Sequence, residues 1–120
     1  MNRAAQKFLD QSGFSRIKAS SIIDTYDFED RKLIEIVKAT YFNPKVLVVD
    51  ETTTSLSRAG RDELYKHMKQ LKELGNTVIF ISHDLAEVIE QTDSISVLRD
   101  GQLIGTVQSS EATEDQLKRL

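Results

Sequence analysis

Two runs of apolar residues without polar alternation define the centre of the chain. Residues 46–49 and 77–81 are short and rich in β-branched side chains, which is typical of strands covered on both faces of a parallel sheet. Between them, residues 58–74 have helical periodicity, and the predicted buried stripe is Leu64, Met68, Leu71 and Leu74. We therefore predict a βαβ unit with a right-handed crossover, whose two strands end at the same edge of the sheet.

Other periodic segments flank this unit. They predict helices over 2–11, 28–39, 85–91 and 111–120, the last capped by Ser110, and a hairpin of strands 95–98 and 103–107 around Asp100-Gly101. Between the first two helices, residues 14–27 have no clear period, and Ile17, Ile22 and Ile23 are expected to pack this segment onto the core. His67 lies among charged residues and is expected at the surface.

Composition and charge narrow the class of protein. The 120 residues suit one domain, and the absence of cysteine excludes disulfides and thiolate metal sites. Sixteen basic and nineteen acidic residues give a net charge of -3, which argues against nucleic acid as the main partner. No apolar run approaches the roughly 20 residues that span a bilayer, and the N-terminus lacks a secretory signal. These features predict a cytosolic protein that could still bind a membrane protein.

Two adjacent carboxylates follow the first apolar run. Asp50 and Glu51 would stand at the carboxyl edge of the sheet, where α/β proteins bind ligands, and a cation would offset their repulsion. On spacing alone, the alternative that they only open a loop is equally favoured. His83 follows the second strand at the same edge. Asp50 could then hold Mg²⁺, Glu51 could polarise an attacking water, and His83 could contact a terminal phosphate. A metal site made of His83 and Asp84 alone would be poor.

Longer motifs carry a family resemblance. The runs VLVVDETTTSLS and VIFISHDLAEVIEQTDSISVLRDGQLIGT resemble the second half of an ABC transporter nucleotide-binding domain. Asp50-Glu51 matches its Walker B motif, Ser55-Leu56-Ser57 its D-loop, and His83 its switch histidine. The SLS form of the D-loop, with EIVKA upstream, is most similar to the first cassette of the tandem ATPases that drive simple-sugar import. The resemblance covers residues 4 to 107.

The resemblance implies a partial P-loop NTPase fold of the α/β class, with parallel strands, flanking helices and a C-terminal hairpin. Residues 1–43 would be a remnant of the helical subdomain with the signature helix, and residues 44–120 the Walker B, D-loop and histidine part of one domain. It also implies ATP and Mg²⁺ as cofactors, with Asp50 on the metal, Glu51 and His83 catalytic, and Ser55 and Ser57 at the nucleotide. The implied partners are permease subunits at the inner face of the cell membrane and a second nucleotide-binding domain.

Two departures from the family pattern change this picture. No glycine lies in a G-x-x-x-x-G-K-[ST] loop, so the Walker A half is missing and the chain alone is expected to be inert. The signature slot falls on residues 26–30, where Asp27, Glu29 and Asp30 replace the family's Ser, Gly and Gln, and Phe28 takes the variable position of the motif. Three acids would repel phosphate, and the favoured interpretation is a solvated acidic helix start. Thr52 replaces a proline, and residues 52–54 are expected to form a turn.

Two alternatives to the ATPase stay open. A binding or regulatory module could have kept the fold and lost the chemistry. A receiver-like domain is weaker, because helices precede the acidic strand.

The resemblance also places a strand between 77–81 and 94–98 that this chain lacks. Unpaired groups there would cost on the order of 1–3 kcal/mol each. The chain could pair 77–81 with 94–98 directly, fill the gap with a strand from a second copy, or stay loosely packed; self-association is the favoured outcome.

Overall fold

The computed structural model describes residues 2–120; Met1, the first residue of the predicted domain, lies outside them. The described chain forms two compact units, residues 2–79 and residues 80–120, whereas the predicted division near residue 43 stays a prediction. The helices and strands are α1 (Asn2–Gln11), α2 (Phe28–Thr40), β1 (Val46–Asp50), α3 (Arg58–Glu73), β2 (Thr77–Ile81), α4 (Leu85–Gln91), β3 (Ser94–Arg99), β4 (Gln102–Gln108) and α5 (Glu114–Arg119). Their order confirms the predicted α/β class.

The core of the first unit is built from its helices and the segment between α1 and α2. Its most completely buried side chains are Phe14, Ile17, Leu33 and Leu64. The prediction that the segment 14–27 packs onto the core holds for Ile17 and is wrong for Ile22 and Ile23, which are exposed. The reason is a surface 3-10 turn over Ile23–Thr25, which Thr25 secures by donating a hydrogen bond to the carbonyl of Ile22 at 2.6 Å.

The strand β1 is covered on one face only. Leu47 and Val49 are buried, but Val46 and Val48 on the other face are 52% and 56% exposed. The prediction of a strand covered on both faces is therefore wrong for this chain. Its sheet has two strands, β1 and β2, and burial alternates along β1 as it does in a sheet packed from one side.

The helix α3 follows the predicted pattern in its middle and departs from it at two positions. Leu64, Met68 and Leu71 are buried as expected. Leu74 is 73% exposed because it lies beyond the last helical turn, where Gly75 turns the chain with a φ of 84°. His67 is only 6% exposed, so its predicted surface position is wrong; it shares the buried stripe with its neighbour Met68.

The second unit has its own sheet and core. The strands β3 and β4 pair antiparallel around Asp100 and Gly101, both with positive φ, which confirms the predicted two-residue hairpin. A small apolar cluster is formed by Val88, Ile95 and Leu117. The last helix begins later than predicted, because residues 109–111 form a 3-10 turn and Thr113, not Ser110, caps α5 through a reciprocal bond with Gln116.

Candidate functional site

The two predicted site carboxylates lie where β1 ends and the chain turns. Asp50 is the last residue of β1, and Glu51 has a left-handed backbone with φ 51° and ψ 24°. Both side chains are exposed. Since a left-handed conformation is uncommon for a residue other than glycine, the turn at Glu51 is held by its surroundings. Its position directly after a strand is what the sequence pattern predicted.

The threonines after Glu51 hold this turn. They form a 3-10 helix over Thr52–Ser55, in which Thr53 is buried. The Thr54 hydroxyl donates a hydrogen bond to the carbonyl of Glu51 at 2.9 Å. These contacts agree with the expectation that residues 52–54 form a turn, and they anchor the backbone beside the carboxylates.

The carboxylates suit Mg²⁺ in one particular mode. Among residues 2–120 there is no group of three or more metal-ligating side chains. Mg²⁺ often takes only one or two protein carboxylates and completes its shell with water and substrate phosphates. Asp50, at the end of β1, could hold Mg²⁺ in that mode, and residues 2–120 form no all-protein cage for it.

His83 lies in the second unit, two residues after the end of β2, and is exposed. Its neighbour Asp84 caps α4 by accepting a hydrogen bond from the amide of Glu87 at 3.1 Å. The carboxylate of Glu87 in turn accepts a bond from the Ser82 hydroxyl at 2.7 Å. Asp84 therefore has a structural role. The meeting of His83 with Asp50 and Glu51 stays a prediction.

The predicted D-loop serine Ser57 caps the N-terminus of α3. Its hydroxyl accepts a hydrogen bond from the amide of Gly60 at 3.1 Å and donates one to Oε1 of Glu29 at 2.7 Å. Its own amide donates to Oε2 of Glu29 at 3.3 Å. Ser55 is exposed at the end of the preceding 3-10 helix. Ser57 therefore bonds to the predicted signature slot through Glu29.

The acids of the signature slot were predicted to be a solvated helix start, and this holds for only one of the three. Asp27 does cap α2, by accepting a hydrogen bond from the amide of Asp30 at 2.8 Å. Phe28 is exposed, with the Lys32 ammonium 5.6 Å from its ring centroid. The expectation is wrong for Glu29 and Asp30, which are half-buried and bonded to side chains of other segments. Packing of the neighbouring segments against α2 supplies those partners.

Arg16 neutralises part of this acidic group. Its guanidinium contacts Asp30 at 2.8 Å and Glu63 at 2.7 Å, which links the segment before α2 to α3. Burial lowers the pKa of Arg16, but the hydrogen bonds and charges of Asp30 and Glu63 outweigh this effect and raise it. No sequence motif identifies Arg16 as a member of this group. The surplus of acids at 27–30 was a signal that some cation lies nearby, but it did not specify which one.

Comparison with known proteins supports the family resemblance. A ribose import ATP-binding protein of Burkholderia cenocepacia is 35% identical over 98% of this chain and 22% of its own length. A ribose import ATP-binding protein of Rubrobacter xylanophilus is 38% identical over 100% of this chain and 24% of its own length. No protein-family model matches the chain.

Solved structures agree with these relatives. An ATP-binding cassette of an ABC transporter superposes with a TM-score of 0.76 at 27% identity, covering 91% of this chain and 43% of that one. A metal-chelate type ABC transporter in an inward-facing conformation gives a TM-score of 0.82 at 21% identity over 98% of this chain, which shows the shared fold alone.

The comparisons confirm the predicted resemblance to part of an ABC transporter ATPase and the predicted fold class. The chain spans between a fifth and a quarter of the length of the curated relatives described above. Within residues 2–120, no helix is both long and apolar enough to cross a bilayer.

Proposed function

We propose that this chain is the part of a sugar-import ATPase that carries the metal-binding and water-activating carboxylates of ATP hydrolysis. The relatives are ribose import ATP-binding proteins, which supports a simple sugar as the cargo of the complete system. The observation that carries the proposal is the turn at residues 50–51, where two exposed carboxylates follow a strand and the second has a left-handed backbone.

Each residue has a distinct proposed role. Asp50, at the end of the strand, would hold Mg²⁺, which when bound supplies charge neutralisation at the ATP phosphates. Glu51 would accept the proton of the attacking water, since a carboxylate base has to lie within hydrogen-bond reach of that water. His83 would contact the terminal phosphate of ATP, as the resemblance implies. Ser55 and Ser57 would lie beside the nucleotide.

The remaining parts of the reaction have to come from outside these residues. The chain has no glycine-rich loop with a lysine to hold the phosphates, so the isolated chain should be inert. In a complete cassette the partners would be a second nucleotide-binding domain and permease subunits. The protein would then act in the cytoplasm, at the inner face of the cell membrane.

A second candidate function is a module that kept this fold without hydrolysing ATP. The observation that favours it is the signature slot, where Glu29 contacts Ser57 of the same chain at 2.7 Å. A carboxylate at that place would repel a phosphate group and not bind it. This candidate predicts intact folding with no hydrolysis even when the missing half is supplied.

A chimeric cassette tests the two candidates. Residues 2–120 would replace the matched part of the solved ATP-binding cassette that is 27% identical, and Mg²⁺-dependent ATP hydrolysis would be measured. We expect hydrolysis that Glu51→Gln lowers by roughly 10²–10⁴-fold while ATP binding is retained. Glu73→Gln, an exposed site at the end of α3, is the matched control. A folded chimera that binds ATP without hydrolysing it would favour the second candidate.

A further inference from the structure

The side chain of Glu29 joins two helices of the first unit. Glu29 lies in the first turn of α2, and its carboxylate accepts hydrogen bonds from the hydroxyl and the amide of Ser57, at 2.7 Å and 3.3 Å. Ser57 is the N-cap of α3. One carboxylate therefore lies next to the N-termini of both helices, and each N-terminus favours a negative charge.

Gly60 makes this approach possible. It lies in the first turn of α3, and a Cβ built there would be 2.9 Å from Cδ of Glu29, closer than real Cβ contacts allow. A glycine inside a helix costs roughly 1 kcal/mol relative to alanine, so the position calls for a reason. In this structure the space beside Gly60 holds the Glu29 carboxylate, which a Cβ would push aside. We call Glu29, Ser57 and Gly60 the Glu29 clamp.

The clamp lies at the far end of the loop that begins at the candidate site. The chain runs from Glu51 through the 3-10 helix Thr52–Ser55 to Ser57. Hydrogen bonds hold this short segment at both ends. The first anchor is the bond of Thr54 to the carbonyl of Glu51, and the second is the pair of bonds from Ser57 to Glu29. Freeing the second anchor would release one end of the turn that holds the carboxylates.

We propose that Glu29 is a positioning residue, which clamps the end of the 51–57 loop onto the first turn of α2 and so closes that turn to outside anions. The role of the loop in ATP hydrolysis rests on the function proposed above. The clamp itself does not, because it is defined by contacts within this chain. Its tests therefore use the 120-residue chain without nucleotide, and their failure would leave the proposed function untouched.

A double-mutant cycle between Glu29→Ala and Gly60→Ala is the first test. In the Glu29→Ala background the Cβ meets no carboxylate, so Gly60→Ala should raise the folding equilibrium constant about fivefold through helix propensity. In the wild-type background the same change displaces Glu29 and should bring no gain. The resulting non-additivity should be about fivefold in the folding equilibrium constant. Equal gains in both backgrounds would overturn the clamp.

Hydrogen exchange of the Ser57 amide is the second test, because this amide donates directly to Glu29. Glu29→Ala should speed its exchange about tenfold relative to the Leu64 amide in the middle of α3. Glu29→Gln can turn its carbonyl oxygen to the Ser57 amide while its NH₂ donates to the Ser57 hydroxyl oxygen, so it should restore part of the protection. Glu35→Ala, an exposed change on the same helix, is the control and should leave Ser57 unaffected. Unchanged exchange in Glu29→Ala, or no rescue by glutamine, would refute the proposal.

Discussion

Acidification below about pH 6.5 should destabilise the first unit through the imidazole of His67. This side chain is 6% exposed, packs edge-on against the ring of Phe14, and lies with Nε2 3.0 Å from the hydroxyl of Thr40. That hydroxyl also contacts the carbonyls of Ile36 and Val37, at 3.1 Å and 3.0 Å. A hydroxyl has one proton; if Thr40 donates it to these carbonyls, Nε2 of His67 must be the donor to Thr40.

The same geometry makes protonation of His67 costly. With the proton on Nε2, Nδ1 carries only a lone pair, and it is buried without a hydrogen-bond partner among the described residues. A second proton would place a positive charge at this nitrogen with no acceptor for it. Burial accordingly lowers the pKa of His67.

The sign and size of the pH effect follow from that lowered pKa. Above pH 6.5 the imidazole is neutral in both states, and its protonation does not affect stability. Below pH 6.5 the unfolded chain binds a proton that the folded chain resists, so stability falls with pH until the folded pKa is reached. The free energy of unfolding should therefore fall between pH 7.5 and pH 5.5 by at most about 1.4 kcal/mol, the limit set by protonation of the unfolded imidazole at its ordinary pKa.

Urea unfolding at several pH values between 5.5 and 7.5 would measure this slope. His67→Met should remove most of it, because methionine fills a core position and does not titrate. The chain has two histidines, so His83→Asn is the matched control and should retain the slope. The reasoning would be refuted by equal stability at pH 5.5 and pH 7.5 in the wild type, or by a slope that survives His67→Met and disappears in His83→Asn.

Three further predictions concern the candidate site and the self-association of the chain. The isolated chain should neither hydrolyse Mg-ATP nor bind it with micromolar affinity, because it lacks a phosphate-binding loop, and calorimetry showing micromolar binding would contradict this. In the chimeric cassette, Asp50→Asn should weaken Mg²⁺ binding and also lower turnover, whereas Glu51→Gln should lower turnover alone. Equal, mild effects of the two changes on turnover would count against the assigned roles. The chain should self-associate, because the strand that the resemblance places between 77–81 and 94–98 is missing and backbone groups there would stay unpaired; sedimentation at several concentrations with hydrogen exchange on 78–81 and 95–98 tests this. A stable monomer with both strands protected would rule it out.

Local patterns were sufficient for most of the elements. Continuous β-branched runs predicted β1 and β2, and Asp100-Gly101 predicted the hairpin, because each signal acts between neighbours in the chain. The start of α5 was the exception. The predicted cap at Ser110 was wrong because the reciprocal bond between Thr113 and Gln116 starts α5 later, and several polar residues nearby were equally plausible caps.

The candidate carboxylates were found from sequence because their position depends on one strand only. Asp50 and Glu51 follow an apolar run, and that order alone places them at the end of β1. The backbone conformation of Glu51 was beyond such reasoning, since a left-handed residue other than glycine depends on the turn that surrounds it.

The sequence by itself determined the order of helices and strands, the position of the acidic pair and the family resemblance, all of which depend on residues close together in the chain. The tertiary structure decided which faces are buried and which charges are paired. His67 is buried against Thr40, Val48 is exposed, and Glu29 was expected to be solvated but bonds to Ser57. The physical reason is that burial and ion pairing depend on segments far apart in sequence, and periodicity along one helix does not specify what packs against it.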